Sequence, residues 1–308
     1  MNTAGTLAPS MYMKSTWIGN MINIGIIGNG FVGPAIAHGF SSCSTPPSSS
    51  RRLRVYDANP QLSSDSFEDV TTKSDIIFVC VPTPMNLQDS GAIDLTILNS
   101  VMDDLNEACL DHAVVVIKST VIPGTTDGYI EKYPNMNIIF NPEFLSERTA
   151  KEDFNNPTRI ILGGEDEAIE LVRTLYKERF PHVPLIITDA RTSEFIKYAC
   201  NCFYAIKISI FNEFHQVAQK QNLDWDAVLR GLISSGWVNP MHTLVPGTDG
   251  EFGFGGKCFP KDINAFIDYF VSAGVDPTVM KAAWQKNLEV REKQNWLDID
   301  GAVSNKKE

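Results

Sequence analysis

Residues 22–37 read INIGIIGNGFVGPAIA, and this stretch decides the fold of the first half of the chain. It begins as a continuous apolar run, which is typical of a strand buried on both faces of a parallel sheet. Gly28, Gly30 and Gly33 follow in a Gly-x-Gly-x-x-Gly turn, and the residues from Pro34 onward open a helix. A strand, a glycine turn and a helix in direct succession predict a doubly wound α/β domain.

Similar apolar, β-branched runs alternate with helical segments as far as Thr188. We predict strands at residues 22–28, 53–57, 75–81, 113–119, 137–140, 159–162 and 185–188. Their continuous rather than alternating hydrophobicity suits a parallel sheet that is covered by helices on both faces. The polar stretch 41–52, which is rich in Ser and Pro, predicts a surface loop before the second strand.

The pattern becomes helical near Arg191. Apolar residues at helical spacing predict one long helix over residues 192–221, about 45 Å in length at ~1.5 Å per residue. Shorter helices are predicted at 225–233, 262–273 and 277–293. We therefore expect a flexible extension (1–20), a Rossmann-type nucleotide-binding domain (21–190), a long connecting helix with a smaller all-α dimerisation and catalytic domain (191–296), and a flexible tail (297–308).

The glycine turn predicts a dinucleotide site. Its glycines allow a tight turn, close approach of a pyrophosphate and close packing of strand on helix, and the helix N-terminus offers free N–H groups to the diphosphate. Asp57 ends the second predicted strand, where a carboxylate accepts hydrogen bonds from ribose hydroxyls and repels a 2′-phosphate, so NAD is favoured over NADP. The expected cofactor contacts here are Gly28, Asn29, Gly30, Phe31, Val32, Gly33 and Asp57.

Length, composition and charge restrict the function classes. The chain has 308 residues, 43% of them hydrophobic, and a net charge of −11, which argues against nucleic acid or an anionic membrane as the main partner. No apolar run reaches the ~20 residues that span a bilayer, and the first residues do not read as a secretory signal, so we expect a cytoplasmic protein. The 6 cysteines show neither disulfide density nor paired zinc spacing, so no metal is expected.

One cysteine stands in different surroundings from the others. Cys258 lies in the sequence Gly255-Gly256-Lys257-Cys258, with Lys261 following closely. Positive neighbours lower the pKa of a thiol from about 8.5 and so favour the nucleophilic thiolate. This pattern predicts a reactive cysteine.

Other polar residues outside the glycine turn are candidates for chemistry. Lys197 and Asn201 are four residues apart on the predicted long helix and so project from the same face. Glu143 and Glu147 follow a predicted strand, and Thr120 ends another just before a Pro-Gly turn. Each alone has an ordinary structural explanation, such as an exposed helical pair or a helix-capping acid.

Together with the glycine turn, these segments resemble the UDP-glucose/GDP-mannose dehydrogenase family over roughly residues 21–292. The shared motifs, in chain order, are GNGFVG (28–33), VPTP (81–84), STVIPG (119–124), NPEFLSE (141–147), SEFIKYACN (193–201) with KISIFNE (207–213), and FGFGGKCFPKD (252–262). The last is the most specific, since few other dehydrogenases place a cysteine there.

The resemblance implies an enzyme that oxidises C6 of a nucleotide sugar twice, from alcohol to carboxylate, and reduces two NAD. In it Cys258 would hold the intermediate as a thiohemiacetal and then a thioester, and Lys197 with Asn201 would stabilise the oxyanion. Asp262 and Glu143, with Thr120, would position and deprotonate water. The further contacts that the resemblance implies are Val81, Pro82, Thr83, Ser119 and Thr120 at the cofactor, and Phe144, Leu145, Glu147, Lys197, Asn201, Gly255 and Phe259 at the substrate.

The chain also departs from the family pattern. We expect this chain to lack the third, Rossmann-like domain that grips the nucleotide in relatives. Residues 234–250 match the family poorly, and Lys257 replaces a small residue. UDP-glucose is the favoured substrate.

One alternative function is that of a two-electron β-hydroxyacid dehydrogenase, which shares a helical Lys-x-x-x-Asn but has no use for Cys258 or Asp262. Another is a non-catalytic NAD-binding remnant. Apolar residues on more than one side of the long helix predict a homodimer.

Overall fold

The computed structural model describes residues 22–41, 52–89, 91–108, 113–164 and 166–304. The extension predicted at 1–20, residues 42–51 of the predicted surface loop, and the last four residues of the predicted tail lie outside these ranges. None of the helices in the described ranges is both long and apolar enough to cross a membrane.

The chain divides into two compact units. The first comprises the described parts of residues 1–81, 101–119 and 126–193, and the second those of 82–100, 120–125 and 194–308. The division falls inside the long helix, after Ser193, whereas the sequence places the boundary at residue 190. Segments 82–100 and 120–125, expected in the first domain, belong to the second unit because their apolar side chains Met85, Ile93 and Ile122 pack against its hydrophobic clusters.

The strands are β1 (Ile24–Ile27), β2 (Leu53–Tyr56), β3 (Ile76–Val79), β4 (Met85–Asn86), β5 (Val114–Ile117), β6 (Asn137–Phe140), β7 (Ile160–Gly163), β8 (Leu185–Thr188) and β9 (Val303–Ser304). The first unit contains a 7-stranded sheet in the order β2-β1-β3-β5-β6-β7-β8, so the predicted strands and the doubly wound fold are confirmed. All residues of β1, β3, β5 and β7 are buried, which explains their continuous hydrophobicity.

One junction of the sheet differs from the fully parallel arrangement that we expected. Strands β6 and β7 pair antiparallel, through Phe140 and Gly163 alone, while the strands on either side of this junction are parallel. Both residues are the last of their strands, so the two parallel halves meet at their carboxyl ends and run in opposite directions. Strand hydrophobicity reports burial and carries no signal for direction, so the sequence pattern could not reveal this reversal.

The helices are α1 (Val32–Phe40), α2 (Phe67–Lys73), α3 (Thr96–Ala108), α4 (Thr125–Lys132), α5 (Ala150–Asn155), α6 (Asp166–Arg179), α7 (Ala190–Lys220), α8 (Trp225–Ser234), α9 (Phe259–Ser272) and α10 (Thr278–Val290). In the first unit, Phe40 fixes α1 on the sheet. It is fully buried, stacks on Phe78 at 6.0 Å and meets Phe154 and Tyr176 edge-on at 5.4 and 5.5 Å. The glycine turn connects β1 directly to α1, so the N-terminus of α1 lies at the carboxyl end of β1.

The second unit is built around the long helix α7, which confirms the helix predicted at 192–221. Its 31 residues extend about 46 Å at ~1.5 Å per residue. Tyr198 is fully buried and stacks on Phe266 of α9 at 5.2 Å, and Phe254, Met280 and Ala283 complete the same cluster. The packing of α9 on α7 brings the Cys258 segment beside the residues that α7 contributes.

The second unit is not purely helical, and the segment predicted as a flexible tail from residue 297 is part of its structure. Strand β9 pairs in parallel with β4 through Met85–Val303 and Asn86–Ser304. Trp296 and Ala302 are buried in a cluster with Met85. Isolated apolar residues in a polar segment gave no periodic signal, yet their burial here fixes residues 295–304 on the unit.

Candidate active site

The glycine turn has the geometry that the sequence predicts for a dinucleotide. Gly28 adopts φ +93°, and a Cβ there would lie 2.7 Å from the carbonyl oxygen of Cys80. A Cβ on Gly33 would collide with the carbonyl oxygen of Gly28, so strand and helix pack closely here. Gly30 has open space where a Cβ would stand, and the first turn of α1 carries no acidic residue. An anionic pyrophosphate can therefore approach this backbone and helix N-terminus.

Asp57 is held beside this turn. One of its carboxylate oxygens accepts the backbone N–H of Asn29 at 2.6 Å, and the other accepts that of Asn59 at 2.8 Å. Its own N–H donates to Ser63 Oγ at 2.8 Å. Each carboxylate oxygen has a second lone pair, so Asp57 can still accept from a ribose hydroxyl. The residues present thus fit a dinucleotide, and they would hold its pyrophosphate at residues 28–33 and its adenosine ribose at Asp57.

Hydrogen bonds order the segments that follow β3 and β5. In the first unit, Ser119 Oγ donates to the carbonyl of Val81 at 2.7 Å. In the second, Thr83 Oγ1 donates to the carbonyl of Thr120 at 2.9 Å, and both residues are buried. Pro82, which lies between Val81 and Thr83 in the sequence, is exposed.

The NPEFLSE segment carries the candidate residues of the first unit that follow β6. Glu143 is buried, and its carboxylate accepts the backbone N–H of Leu145 at 2.8 Å. Phe144 is half-buried under the guanidinium of Arg159, which lies 4.3 Å from the ring centroid. Glu147 is exposed at the start of a 3-10 turn, Glu147–Thr149. Glu143 is thus fixed by its own loop, whereas Glu147 is open to solvent.

A buried polar network beneath this loop was missed from the sequence. Lys118 Nζ donates to Asn141 Oδ1 at 3.0 Å, Tyr176 Oη donates to the same oxygen at 2.6 Å, and Asn141 Nδ2 donates to the carbonyl of Ile161 at 2.7 Å. Burial raises the pKa of the neighbouring Cys80 to about 12, so that thiol stays neutral. A lysine inside the apolar run VVVIKST was the available signal for this network.

In the second unit, α7 and α9 bring three candidate residues together. Asp262 is fully buried, Asn201 Nδ2 donates to one of its carboxylate oxygens at 2.5 Å, and Lys261 Nζ forms an ion pair with the other. Lys197 is buried one turn before Asn201 on α7. The exposed helical pair, which was the ordinary explanation for Lys197 and Asn201, is therefore ruled out.

Cys258 immediately precedes α9, whose first turn contains Asp262. The backbone N–H of Asp262 donates to the carbonyl of Cys258 at 2.8 Å, so thiol and carboxylate are one helical turn apart. Cys258 is half-buried and outside any disulfide. Cys258 stands at the N-cap of α9, where the positive end of the helix dipole favours a thiolate.

A histidine near this segment was also missed. The ring of His242 lies 5.0 Å from that of Tyr204 and 5.4 Å from that of Phe259, the first residue of α9. Burial, and then the charge of Lys207, lowers the pKa of His242. Since His242 falls in the stretch that matches the family poorly, no motif pointed to it.

The candidate residues thus form two sets, each within one unit. The glycine turn, Asp57, Val81, Ser119 and the NPEFLSE segment belong to the first unit, and Thr83, Thr120, Lys197, Asn201, Gly255, Cys258, Phe259 and Asp262 to the second. The first set carries the geometry of a dinucleotide site. The second combines a thiol, an amide, an ammonium group and a buried carboxylate, which suits nucleophilic chemistry at a carbonyl.

Comparison with known proteins bears on both sets. The NAD-binding domain of the UDP-glucose/GDP-mannose dehydrogenase family matches residues 54–180, and the central domain of the same family matches residues 191–289. The glycine turn lies before the first match, so its assignment rests on the geometry described above.

Individual relatives agree with these matches. The UDP-glucose 6-dehydrogenase of Pseudomonas aeruginosa is 32% identical over 231 residues, which cover 71% of this chain and 49% of that protein. The structure of a UDP-glucose dehydrogenase from Pyrobaculum islandicum matches with a TM-score of 0.76 at 28% identity, and covers 88% of this chain and 68% of that one. A 3-hydroxyisobutyrate dehydrogenase of Mycobacterium tuberculosis matches with a TM-score of 0.70 at 14% identity, over 92% of this chain and 97% of that one, which shows a shared fold alone.

The chain spans about half the length of the curated UDP-glucose 6-dehydrogenases that it matches. The two domain matches nevertheless lie in family order and together cover more than half of this sequence. By these matches, the chain belongs to the UDP-glucose/GDP-mannose dehydrogenase family.

Proposed function

We propose that this protein is an NAD-dependent nucleotide-sugar 6-dehydrogenase that oxidises the C6 alcohol of UDP-glucose to the uronate. The observation that carries the proposal is the position of Cys258, which precedes α9 one turn before the fully buried Asp262. A dehydrogenase that stops at the aldehyde or ketone needs neither group. An enzyme that continues to the acid needs a nucleophile to hold the aldehyde and a carboxylate to direct water.

The second unit supplies the groups for the covalent step. NAD would accept one hydride in each of the two oxidations. Between them, the Cys258 sulfur adds to the aldehyde carbon and gives a thiohemiacetal, whose oxidation leaves a thioester. Lys197 stabilises the negative charge that develops on the oxygen, because its buried ammonium group is little screened by water. The Asn201 amide has two N–H donors, so one can hold Asp262 while the other donates a further hydrogen bond to that oxygen.

Hydrolysis of the thioester releases the acid and restores the thiol. Asp262 and Glu143, with the help of Thr120, would position and deprotonate the attacking water. Two donors, Asn201 and Lys261, hold the Asp262 carboxylate, and the Leu145 N–H holds that of Glu143. Fixed carboxylates need little reorganisation when the proton moves.

We assign substrate contacts to the NPEFLSE segment and to the entrance of α9. The residues that we propose to contact the sugar nucleotide are Phe144, Leu145, Glu147, Gly255 and Phe259. The half-buried side chains of Phe144, Leu145 and Phe259 support this assignment, because they offer apolar surface that a ligand can cover. We place the activity in the cytoplasm, where a thiol such as Cys258 stays reduced.

We also propose that the protein is a homodimer whose contact surface includes α7. Phe203 on this helix is 62% exposed, Val217 is 58% exposed, and Phe195 and Phe214 are exposed as well. Helix α8, which follows α7 along the chain, has no buried residue. Large apolar residues along more than one side of a helix are the usual sign of a surface that a partner covers.

The decisive experiment is a product balance with purified protein. NAD and a panel of UDP-glucose, GDP-mannose, N-acetylated nucleotide sugars and β-hydroxyacids are supplied, and NADH, aldehyde and acid are counted. We expect two NADH per UDP-glucose and no free aldehyde. Cys258→Ser should bind NAD normally and form no acid, because serine has no accessible anion at neutral pH.

The two alternatives give other results. One NADH per turnover on a β-hydroxyacid, with full activity in Cys258→Ser, would identify a two-electron β-hydroxyacid dehydrogenase. The fold shared with 3-hydroxyisobutyrate dehydrogenase makes this the enzyme to exclude. NAD binding without turnover of any panel member would identify a non-catalytic remnant.

A further inference from the structure

Asn287 holds the glycine-rich loop that leads to Cys258. Its side chain is fully buried at the end of α10, where Oδ1 accepts the backbone N–H of Phe254 at 2.6 Å and Nδ2 donates to the carbonyl of the same residue at 3.0 Å. The amide thus satisfies both backbone groups of Phe254, as a neighbouring strand would.

Arg291, four residues further on, holds the same loop. Its side chain is buried, Nη1 donates to the carbonyl of Phe252 at 3.3 Å, and Nη2 donates to Asp249 Oδ2 at 2.8 Å. The guanidinium lies so close to Gly255 that a Cβ on that residue would collide with it. Gly255 is therefore required for this packing.

Asn295 continues the series after another four residues. Its Oδ1 accepts the backbone N–H of Gly256 at 3.1 Å, two residues before Cys258. Lys257 Nζ then donates to the carbonyl of Asp300 at 3.2 Å, so the segment that contains Asn295 contacts the loop a second time. Lys257, which is unusual for the family at this position, gains a structural partner in this chain.

The glycine-rich loop before Cys258 needs contacts with other segments to keep a single conformation. Gly253 and Gly256 adopt φ +67° and +75°, a region open mainly to glycine, and with Gly255 they give the loop three residues without side chains. Glycine has more conformational freedom than any other residue, so the backbone before Cys258 must be fixed from outside. Residues 287, 291 and 295 supply external bonds to this backbone, and Asn212 of α7 supplies another, because its Oδ1 accepts the N–H of Gly253 at 3.1 Å.

We propose that Asn287, Arg291 and Asn295 are positioning residues that set the Cys258 thiol in the geometry for attack. Reacting atoms must be held about 3–3.5 Å apart and aligned, and a displacement of ~1 Å can cost about 100-fold in rate. The effect of these residues on catalysis rests on the proposed function. Their effect on the position of the Cys258 thiol does not depend on which reaction the protein performs.

Asn295 gives the sharpest test, because it is half-buried and bonds nearest to Cys258. Asn295→Ala removes the acceptor, Asn295→Asp keeps an acceptor oxygen, and Gln294→Ala changes the exposed neighbour as a matched control. For each variant we would measure kcat and KM with UDP-glucose, the Kd for NAD, and the rate at which iodoacetamide alkylates Cys258, read by mass spectrometry. The buried Cys202 serves as an internal standard for intact folding.

In Asn295→Ala we expect kcat to fall about tenfold or more with the NAD Kd unchanged, since the loop is displaced and the dinucleotide turn is not. Alkylation of Cys258 should rise about threefold, because a released thiol is more accessible, while Cys202 stays protected. Asn295→Asp should restore both kcat and the rate of Cys258 alkylation, and Gln294→Ala should match the unmodified protein.

Unchanged or slower alkylation in Asn295→Ala, or no rescue by Asn295→Asp, would overturn the proposal. If the unmodified protein oxidises no sugar, the proposed function fails and the alkylation rates still decide the positioning role.

Discussion

Asp57 sets the expected preference for NAD. Its carboxylate is held in place by the backbone N–H groups of Asn29 and Asn59. It would therefore stay close to the 2′-phosphate of NADP and repel it. We expect NAD to bind at least about tenfold more tightly than NADP, a difference of ~1.4 kcal/mol.

Removal of the carboxylate should narrow that preference. Isothermal titration of both cofactors into Asp57→Ala is the measurement, and Asp104→Ala, which removes an exposed carboxylate on α3 of the same unit, is the control. Equal affinities for NAD and NADP in the unmodified protein would contradict this assignment.

We expect His215 to make the stability of the second unit sensitive to acid. It is buried on α7 against Trp225 and Phe252, with ring distances of 5.3 and 5.7 Å, and its Nδ1 has no hydrogen-bond partner among the described residues. Burial lowers its pKa, so the folded protein binds the proton less readily than the unfolded chain does. Neutral His215 therefore makes its full contribution to the free energy of unfolding above pH ~6.5, the pKa of histidine in an unfolded chain. That contribution is lost as the pH falls below this value.

A pH series of urea unfolding tests the His215 prediction. Between pH 7 and pH 5 the free energy of unfolding should fall less in His215→Phe than in the unmodified protein, because a phenyl ring takes up no proton. His182→Phe, at an exposed position, should retain the original pH dependence. Parallel curves for His215→Phe and the unmodified protein would rule the effect out.

At the scale of elements, the β4–β9 pair connects residues 85–86 with the segment after α10. Trp296 is 2% exposed and packs at 5.5 Å from Trp284, within the cluster that also holds Met85 and Ala302. Because the ring fills the space under this short sheet, Trp296→Ala should cost about 3–5 kcal/mol of unfolding free energy.

Denaturant unfolding followed by circular dichroism measures this loss. Gln294→Ala, two residues earlier and exposed, should change the unfolding free energy by less than about 0.5 kcal/mol. A loss below ~1 kcal/mol in Trp296→Ala would mean that residues 295–304 contribute little to the second unit.

For the whole molecule, the exposed apolar residues of α7 predict a homodimer in solution. Phe203→Glu places a charge on the most exposed phenylalanine of this helix and should shift the protein to monomers, because a buried unpaired charge costs several kcal/mol. Multi-angle light scattering at micromolar concentration gives the mass, and Glu131→Lys, a charge reversal at an exposed position of the first unit, is the control.

Dissociation of the dimer should also affect NAD binding and nucleotide-sugar binding differently. Monomers are expected to keep their affinity for NAD, since residues 28–33 and Asp57 lie in the first unit, and to lose affinity for the nucleotide sugar. A monomeric unmodified protein with full turnover would refute both the dimer and its role in substrate binding.

Much of this protein follows from local sequence patterns. The continuous apolar runs specify the strands of the large sheet, the three glycines specify the turn at residues 28–33, and the four-residue spacing places Lys197 and Asn201 on one face of α7. These features depend on the conformation and burial of residues close together in sequence, so their pattern can be read without the fold.

Other features depend on contacts between distant segments and were decided by the tertiary structure alone. The reversed junction of β6 with β7, the assignment of residues 82–100 to the second unit, and the burial of Trp296 each require a partner far away in the chain. The same holds for the Lys118–Asn141–Tyr176 network and for the bond from Gly256 to Asn295. A side-chain amide that holds a distant backbone has no periodicity, so only the folded chain reveals what it binds.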